Sequence, residues 1–355
     1  MAATSPSPAQ VAGSVRVREV HRHDLDAYRE LAVENAGELD KRVGLLDRFE
    51  EGVRFLRRPP VWLLLRVLRG FGRAPLRLLA AEDQGTLVGS TITMLVGPWA
   101  YVAAVGVRAD HRRRGIAALL MAHAEEIGRR SGRDLMVLEV DSENEPARRL
   151  YAGLGWRAGL RSCWWELPVR PTAGDPPRAR RAHRTDCRRA HAASAAQLGY
   201  EFPEGSVHPC ELVCRGLGGW HETFAAGPVG APSLVVRAWA GKAGQSGFLV
   251  PVAIGTDPGP DEARVLEAGR AALAGAGSVS VFVPVLGASS RLDDLLRSAG
   301  GTPRASSEFW SKEVPHPRAG PVPTPWAVAS DRPPREDRAS RHGKPYLADD
   351  SSLAT

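Results

Sequence analysis

A strand-to-helix turn in the first half of the chain has the composition of a diphosphate site. Residues 105–120 read VGVRADHRRRGIAALL, in which an apolar strand end and a basic turn precede a helix that begins among small residues. The first N–H groups of a helix lack intrahelical acceptors and lie at the positive end of its dipole, so they can bind phosphate oxygens. We expect Gly115 to let the backbone approach the phosphates and Ala117 to keep the first turn clear, while Arg113 and Arg114 add charge at the rim.

This turn resembles the signature Arg/Gln-x-x-Gly-x-Gly/Ala of the GCN5-related N-acetyltransferase (GNAT) superfamily, with Arg112, Gly115 and Ala117 at the specified positions. The resemblance covers about residues 14–168, because the order of predicted elements agrees as well. It implies that the strand before the turn holds the pantetheine arm of acetyl-CoA through backbone hydrogen bonds. The cofactor-binding residues expected are Val105, Gly106, Val107, Arg112, Arg113, Arg114, Gly115, Ile116, Ala117, Ala118 and Asn144.

A second block, residues 138–156, reads LEVDSENEPARRLYAGLGW. It is similar to the family's Asn-x-x-Ala-x-x-Leu-Tyr-x-x-x-Gly-Phe/Trp stretch, most of all as ribosomal-protein alanine acetyltransferases have it. The resemblance implies that Tyr151 protonates the departing thiolate of CoA, that Asn144 binds the cofactor and that Glu139 is the base.

A carboxylate and a phenol are suited to the two proton transfers that acetyl transfer to an amine requires. An amine is protonated at neutral pH and must lose a proton before it attacks, so a carboxylate at a strand end such as Glu139 is useful. A phenol such as that of Tyr151 can donate a proton to a thiolate. Glu82 and Asp141 are alternatives for the base, and Tyr151 as a core aromatic residue is the competing interpretation.

The hydrophobic periodicity predicts alternating strands and helices, an α/β (α+β) fold, and the resemblance implies a GNAT-type mixed central sheet flanked by helices. The predicted order in the first half is strand, helices, a three-stranded antiparallel meander, helix, strand, helix, strand. One of the early helices is expected over 38–55, and the turn Asp83-Gln84-Gly85 is expected to join the first two meander strands.

The second half repeats the end of this pattern. A helix over 263–272, a strand over 279–285, a helix over 292–296 and a strand over 304–314 indicate an internal duplication. Where the phosphate turn should stand, residues 257–262 read DPGPDE, and such carboxylates would repel a diphosphate. Leu296 occupies the place of Tyr151. We therefore expect a degenerate GNAT-like domain that serves as a wall for the acceptor site or as a packing partner.

The expected division has five parts. Residues 14–168 form the catalytic domain and 181–314 the degenerate domain, joined by a linker at 169–180 that is rich in Pro, Gly and Arg. The segments 1–13 and 315–355 have little to bury and are expected to be disordered. The N-terminus lacks the features of a secretory signal, which favours a cytoplasmic protein.

Composition argues against a nucleic-acid-binding protein and against a metal-binding protein. The formal net charge is +7, from 47 basic and 40 acidic residues, but the basic residues are spread along the chain. A nucleic-acid surface would gather them into one stripe, so no nucleic-acid partner is expected. Four residues could bind zinc but lack a second matched cysteine pair, so no metal is expected and the cysteines are interpreted as reduced, structural thiols. These four are His208, Cys210, Cys214 and His221.

Residues 59–71 read PPVWLLLRVLRGF, an apolar run that contains arginine and is too short to span a bilayer. Three roles for this run remain open: it could be a helix that lines an acceptor pocket, a subunit contact of a homodimer or a helix on a membrane surface.

The expected function is transfer of an acetyl group from acetyl-CoA to a primary amine of a small molecule or a protein N-terminus, by direct attack. The acceptor stays open among alanine N-termini, polyamines, aminoglycosides and amino-sugar thiols, the last because the tandem layout is similar to mycothiol synthase. The alternative is a non-catalytic sensor that binds acyl-CoA and recruits a partner.

Overall fold

The structure is a computed structural model that describes residues 15–314 except 38–39, 42, 44, 71–73, 170–178, 200–207, 209–210, 212–219, 256–258 and 260. The two predicted tails, most of the predicted linker, and Cys210 and Cys214 lie outside the described residues. Among the residues that the structure describes, no cluster of three metal-ligating side chains occurs. None of the helices so described is long and apolar enough to cross a membrane.

The first half has the predicted order of elements. Of the helix predicted over 38–55, the structure describes a helix over Leu45–Leu56, and Asp40 and Lys41 are also helical. The bounds are β1 Val15–Glu19, α1 Leu25–Glu34, α2 Leu45–Leu56, α3 Pro59–Gly70, β2 Leu76–Asp83, β3 Thr86–Val96, β4 Trp99–Val107, α4 Ile116–Arg130, β5 Leu135–Asp141, α5 Glu145–Gly153 and β6 Arg157–Leu167.

The second half has the four predicted elements at its end, preceded by a helix and a meander that the sequence did not reveal. Its elements follow the first half in type and order from the meander onward. The bounds are α6 Arg184–Leu198, β7 Trp220–Ala226, β8 Leu234–Ala240, β9 Ser246–Ala253, α7 Glu262–Gly275, β10 Ser280–Leu286, α8 Ser290–Ser298 and β11 Thr302–Glu313.

The eleven strands of the described residues form one mixed sheet in the order β1-β2-β3-β4-β5-β11-β6-β10-β9-β8-β7. The last strand of each half lies beside the other half: β11 pairs with β5, and β6 pairs with β10. The two exchanged strands also pair with each other in the centre of the sheet. The mixed α/β fold predicted from the sequence is confirmed, whereas this exchange was not anticipated.

Alternation along the strands separates two apolar layers. On β2, Leu79 and Ala81 pack with Ile116 and Leu120 of α4. The intervening Leu78 and Ala80 face the opposite layer, formed by α1, α2 and α3. The turn between β2 and β3 is the predicted tight one, with left-handed backbone at Gln84 (φ 50°) and Gly85 (φ 83°). Helices therefore cover both faces of the sheet.

Candidate functional site

The parallel strands β4 and β5 separate halfway along their length. They pair from Trp99 with Leu135 to Val102 with Leu138, and the ladder ends there. Beyond this point β4 has a bulge, marked by a shift of register against β3 and by left-handed backbone at Ala104 (φ 51°). The backbone of residues 103–107 thus borders a gap on the side of β5.

The predicted pantetheine-binding residues Val105, Gly106 and Val107 lie on this diverging part of β4. A side chain at Gly106 would meet Asn35 at the end of α1, because a Cβ atom there would be 2.6 Å from the Cβ of Asn35. Glycine is required at 106 because the end of α1 packs directly on the strand.

The turn after β4 presents a row of free backbone donors. Within the described part of the chain, the N–H groups of residues 113–118 donate to no protein acceptor, and the first helical bond runs from Leu119 N to Gly115 O at 3.0 Å. The backbone is left-handed at Arg113 (φ 63°) and Gly115 (φ 78°), and Gly115 is the N-cap of α4. This arrangement can hold an anion with several charged oxygens.

The three predicted arginines have different surroundings. Arg112 donates from Nε to Val107 O at 3.0 Å and from Nη2 to Asn35 Oδ1 at 3.1 Å, so it fixes the turn against β4 and α1. Arg114 pairs with Asp83 at 3.2 Å. Arg113 is exposed and makes no ion pair or hydrogen bond with any described residue, so its charge is available to a ligand. Asn35, which no sequence signal singled out, completes the support of the turn.

Glu139 follows Leu138, the last residue of β5 that pairs with β4, and its side chain is held by two donors. Its Oε1 accepts from the indole Nε1 of Trp164 at 3.1 Å and from the hydroxyl of Ser307. Burial raises the pKa of Glu139 to about 7, and Asp40 adds to the rise, while the two hydrogen bonds oppose it. A carboxyl group with a pKa near neutrality can accept a proton and release it again.

The two alternative bases differ in position. Glu82 lies on β2, separated from β5 by two strands, and its carboxylate accepts a hydrogen bond from Arg18. Asp141 ends β5 and accepts from the N–H of Glu143 at 2.9 Å. Burial raises the pKa of Asp40, and the neighbouring charge of Asp141 adds to this rise. The carboxyl group of Asp40 therefore interacts electrostatically with those of both Glu139 and Asp141.

Tyr151 lies on the face of the sheet opposite Glu139. It packs in the same apolar layer as Leu138 and Val140, the residues that flank Glu139 on β5 and point the other way. Its ring centroid lies 6.2 Å from that of Trp156 and 6.3 Å from that of Trp310. Burial raises the pKa of Tyr151, which keeps the phenol protonated.

Asn144 has a structural contact in addition to its predicted role. It is the N-cap of α5, and its side-chain oxygen accepts from Ala147 N at 3.2 Å. The cap fixes the start of the helix that carries Tyr151.

An aromatic wall on the Glu139 side contains residues of both halves. Phe309 of β11 lies directly opposite Glu139 in the ladder. His208 is fully buried, with its ring edge-on to Trp164 at 5.4 Å and to Phe309 at 5.8 Å between centroids. Burial lowers the pKa of His208 to about 3, so its imidazole is neutral. The sequence offered no signal for this wall because its members are far apart along the chain.

A model of the acetyltransferase (GNAT) family matches residues 47–156, which include β4, the phosphate turn, β5 and Tyr151. This segment is a GNAT domain. No protein of curated function matches the sequence.

Solved structures extend the likeness in fold to most of the chain. One is a putative acetyltransferase from Pyrococcus horikoshii, with 15% identity, a TM-score of 0.52 and coverage of 85% of this chain and 90% of that one. Another is a GCN5-related N-acetyltransferase from Sphaerobacter thermophilus, with 14% identity, a TM-score of 0.52 and coverage of 85% and 96%. At this identity the likeness concerns the fold alone, and it includes the second half.

The second half repeats the separated strands of the first half, and a carboxylate lies at the described part of the turn that corresponds to the phosphate turn. Strands β9 and β10 pair in parallel only from Ser246–Phe248 with Ser280–Phe282. At the start of α7, the buried carboxylate of Glu262 accepts from Gly259 N at 2.9 Å and pairs with Arg291. A protein carboxylate thus occupies a backbone donor at this helix start, where a diphosphate would otherwise bind.

The exchanged strand β11 also contacts the helix that carries Tyr151. The buried Glu308 accepts from Arg148 of α5 at 3.1 Å and from the indole of Trp310 at 3.3 Å, and Arg161 lies 3.3 Å away. Trp310 in turn packs on Tyr151. The second half therefore holds α5 in place.

Replacement of Glu308 by alanine should destabilise the protein by about 1–3 kcal/mol, because the buried indole N–H of Trp310 loses its acceptor. Chemical denaturation would measure this change. Glu145→Ala removes another carboxylate partner of Arg148, but an exposed one, so less than about 1 kcal/mol is expected. If the two substitutions destabilised the protein equally, the contact between Glu308 of β11 and Arg148 of α5 would not hold α5 in place as inferred.

Proposed function

We propose that the chain is an N-acetyltransferase that moves the acetyl group of acetyl-CoA to a primary amine by direct attack. The observation that carries the proposal is the row of free N–H groups at residues 113–118, placed beside the gap between β4 and β5. Glu139 and Tyr151 lie on opposite faces of the sheet at this gap. A thioester lying in it would have a proton acceptor on one side and a proton donor on the other.

In the proposed reaction, the carboxylate of Glu139 takes a proton from the acceptor ammonium group, and the free amine attacks the thioester carbonyl. Unpaired backbone N–H groups of the diverging part of β4 polarise that carbonyl and stabilise the oxyanion. The C–S bond then breaks and the thiolate takes a proton from Tyr151. The amide nitrogen gives up its second proton, which restores the phenol, and Glu139 releases its proton to solvent, so the products are the acetamide, CoA and one proton. No covalent enzyme intermediate forms.

The cofactor would be held in three places. The diphosphate lies on the N–H groups of 113–118 with Arg113 at the rim, the pantetheine arm lies along Val105–Val107, and Asn144 contacts it from α5. Arg112 and Arg114 support the turn through their protein contacts. The GNAT match and the fit of these donors to a diphosphate support this assignment.

The acceptor would be a cationic amine, since Asp40 and Asp141 lie near Glu139 and would attract its charge. The division into a catalytic domain at 14–168 and a degenerate one at 181–314 is part of this proposal. The second half would contribute Ser307, Phe309 and His208 to the acceptor side.

Tyr151→Phe should lower kcat by about 10²-fold, because the thiolate loses its acid, while the affinity for acetyl-CoA stays unchanged. A free-thiol assay would measure kcat, and titration calorimetry the affinity. Tyr28→Phe is the matched control: it removes a buried hydroxyl that donates to Thr91 O at 2.9 Å on β3, a strand that does not border the gap. Normal turnover by Tyr151→Phe would rule out the proposed acid.

The same two assays distinguish an enzyme from a sensor. Binding of acetyl-CoA together with thiol release that depends on an amine, across a panel of cationic amines, is expected of the enzyme. Binding with no acceptor-dependent release from any amine would favour the acyl-CoA sensor.

A further inference from the structure

The helix α3 exposes apolar side chains on its outer face. Leu63, Leu64 and Val67 are 61%, 59% and 48% exposed, and Phe55 at the end of α2 is 41% exposed. The inner face of α3 is already packed, since Val61, Trp62 and Leu65 lie against the layer formed by α1 and β2. The outer residues are therefore free to contact another surface.

The outer face of α3 carries unpaired positive charge. Between residues 52 and 81 the sequence has seven arginines and no aspartate or glutamate, although Arg54, Arg57 and Arg77 pair with carboxylates from other parts of the chain. On the outer side of α3, Arg66 is exposed and makes no ion pair with any described residue. Arg58, at the junction of α2 and α3, lies over the ring of Phe55 at 5.7 Å. Arginine and leucine side chains thus share the outer face, and the helix has no carboxylate that could neutralise the arginines.

We infer that α3 binds the surface of an anionic lipid bilayer. Leu63, Leu64 and Val67 would enter the boundary between headgroups and acyl chains, while the guanidinium groups of Arg58 and Arg66 bind lipid phosphates. The helix has 12 residues, too few to span a bilayer, so it would lie in the plane of the interface.

The charges favour a lipid surface over a second copy of the chain. A dimer through this face would bring two arginine-lined surfaces together between chains that each carry a formal charge of +7. An anionic bilayer accepts both the apolar and the cationic residues. The inference is independent of the proposed acetyl transfer, because it concerns only α3 and its surface.

The test is co-sedimentation of the full chain with vesicles of phosphatidylcholine that contain about one-third phosphatidylglycerol. Binding is expected at low salt, and pure phosphatidylcholine should bind much less protein. Leu63→Gln with Leu64→Gln should remove most of the binding, and Arg66→Gln should lower the partition coefficient about fivefold. A thermal melt checks that each variant is folded.

Val279→Gln is the matched control, because Val279 is 65% exposed on the second half and should not matter. Equal binding to both vesicle types, or binding that survives the double substitution, would overturn the inference. A dimer that light scattering detects and that the double substitution dissolves would also overturn it, in favour of a second copy of the chain.

Discussion

Gly115→Glu should abolish the binding of acetyl-CoA. The substitution places a carboxylate at the positive end of α4, where it repels the diphosphate and competes for the free N–H groups of residues 113–118. It also puts a side chain on a residue with φ 78°, which favours glycine. We expect no detectable heat in a calorimetric titration with acetyl-CoA or with CoA, and no activity.

Gly132→Glu is a matched control for this prediction. Gly132 follows the opposite end of the same helix, also has left-handed backbone (φ 67°), and has no atom near the position of a Cβ. The substitution therefore introduces the same charge with comparable backbone strain, away from the turn. If both variants bound acetyl-CoA like the parent chain, the diphosphate site would lie elsewhere and the proposed function would lose its main support.

Glu139→Gln should lower kcat by about 10³-fold, because the acceptor amine loses its base. Glutamine keeps an oxygen that can accept from Trp164 and Ser307, so the surroundings are preserved. In the parent protein, kcat at saturating acceptor should rise with pH and level off above an inflection near 7, since only the ionised carboxyl group accepts a proton. This inflection should be absent in the variant.

The stability of the same variant provides an independent check. The folded pKa of Glu139, about 7, lies above the ordinary value, so folding favours the protonated form. The parent protein therefore loses this contribution as the pH rises through 7. At pH 8, Glu139→Gln should melt at the same temperature as the parent or higher, which would exclude unfolding as the reason for lost activity. An unchanged kcat would point to Asp141 or to a water molecule as the base.

Much of the candidate site follows from local sequence. The phosphate turn was predictable because a strand end, a basic turn, Gly115 and a helix start are adjacent in the chain, and each depends on backbone angles and short-range periodicity. The tight turn at 83–85 was predictable for the same reason. The meander β7–β9 was missed, since β8 and β9 are buried on both faces and lack an alternating pattern.

The tertiary structure alone decided how the two halves meet. Each half ends in a strand that either half could accept, because ladder hydrogen bonds join backbone groups whatever their side chains. The sequence determined the GNAT elements and the positions of Tyr151 and Glu139 within them. Only the exchange of β6 and β11 brings Ser307 to Glu139 and Trp310 to Tyr151. Each of these contacts joins residues more than a hundred positions apart, so no local sequence pattern could predict it.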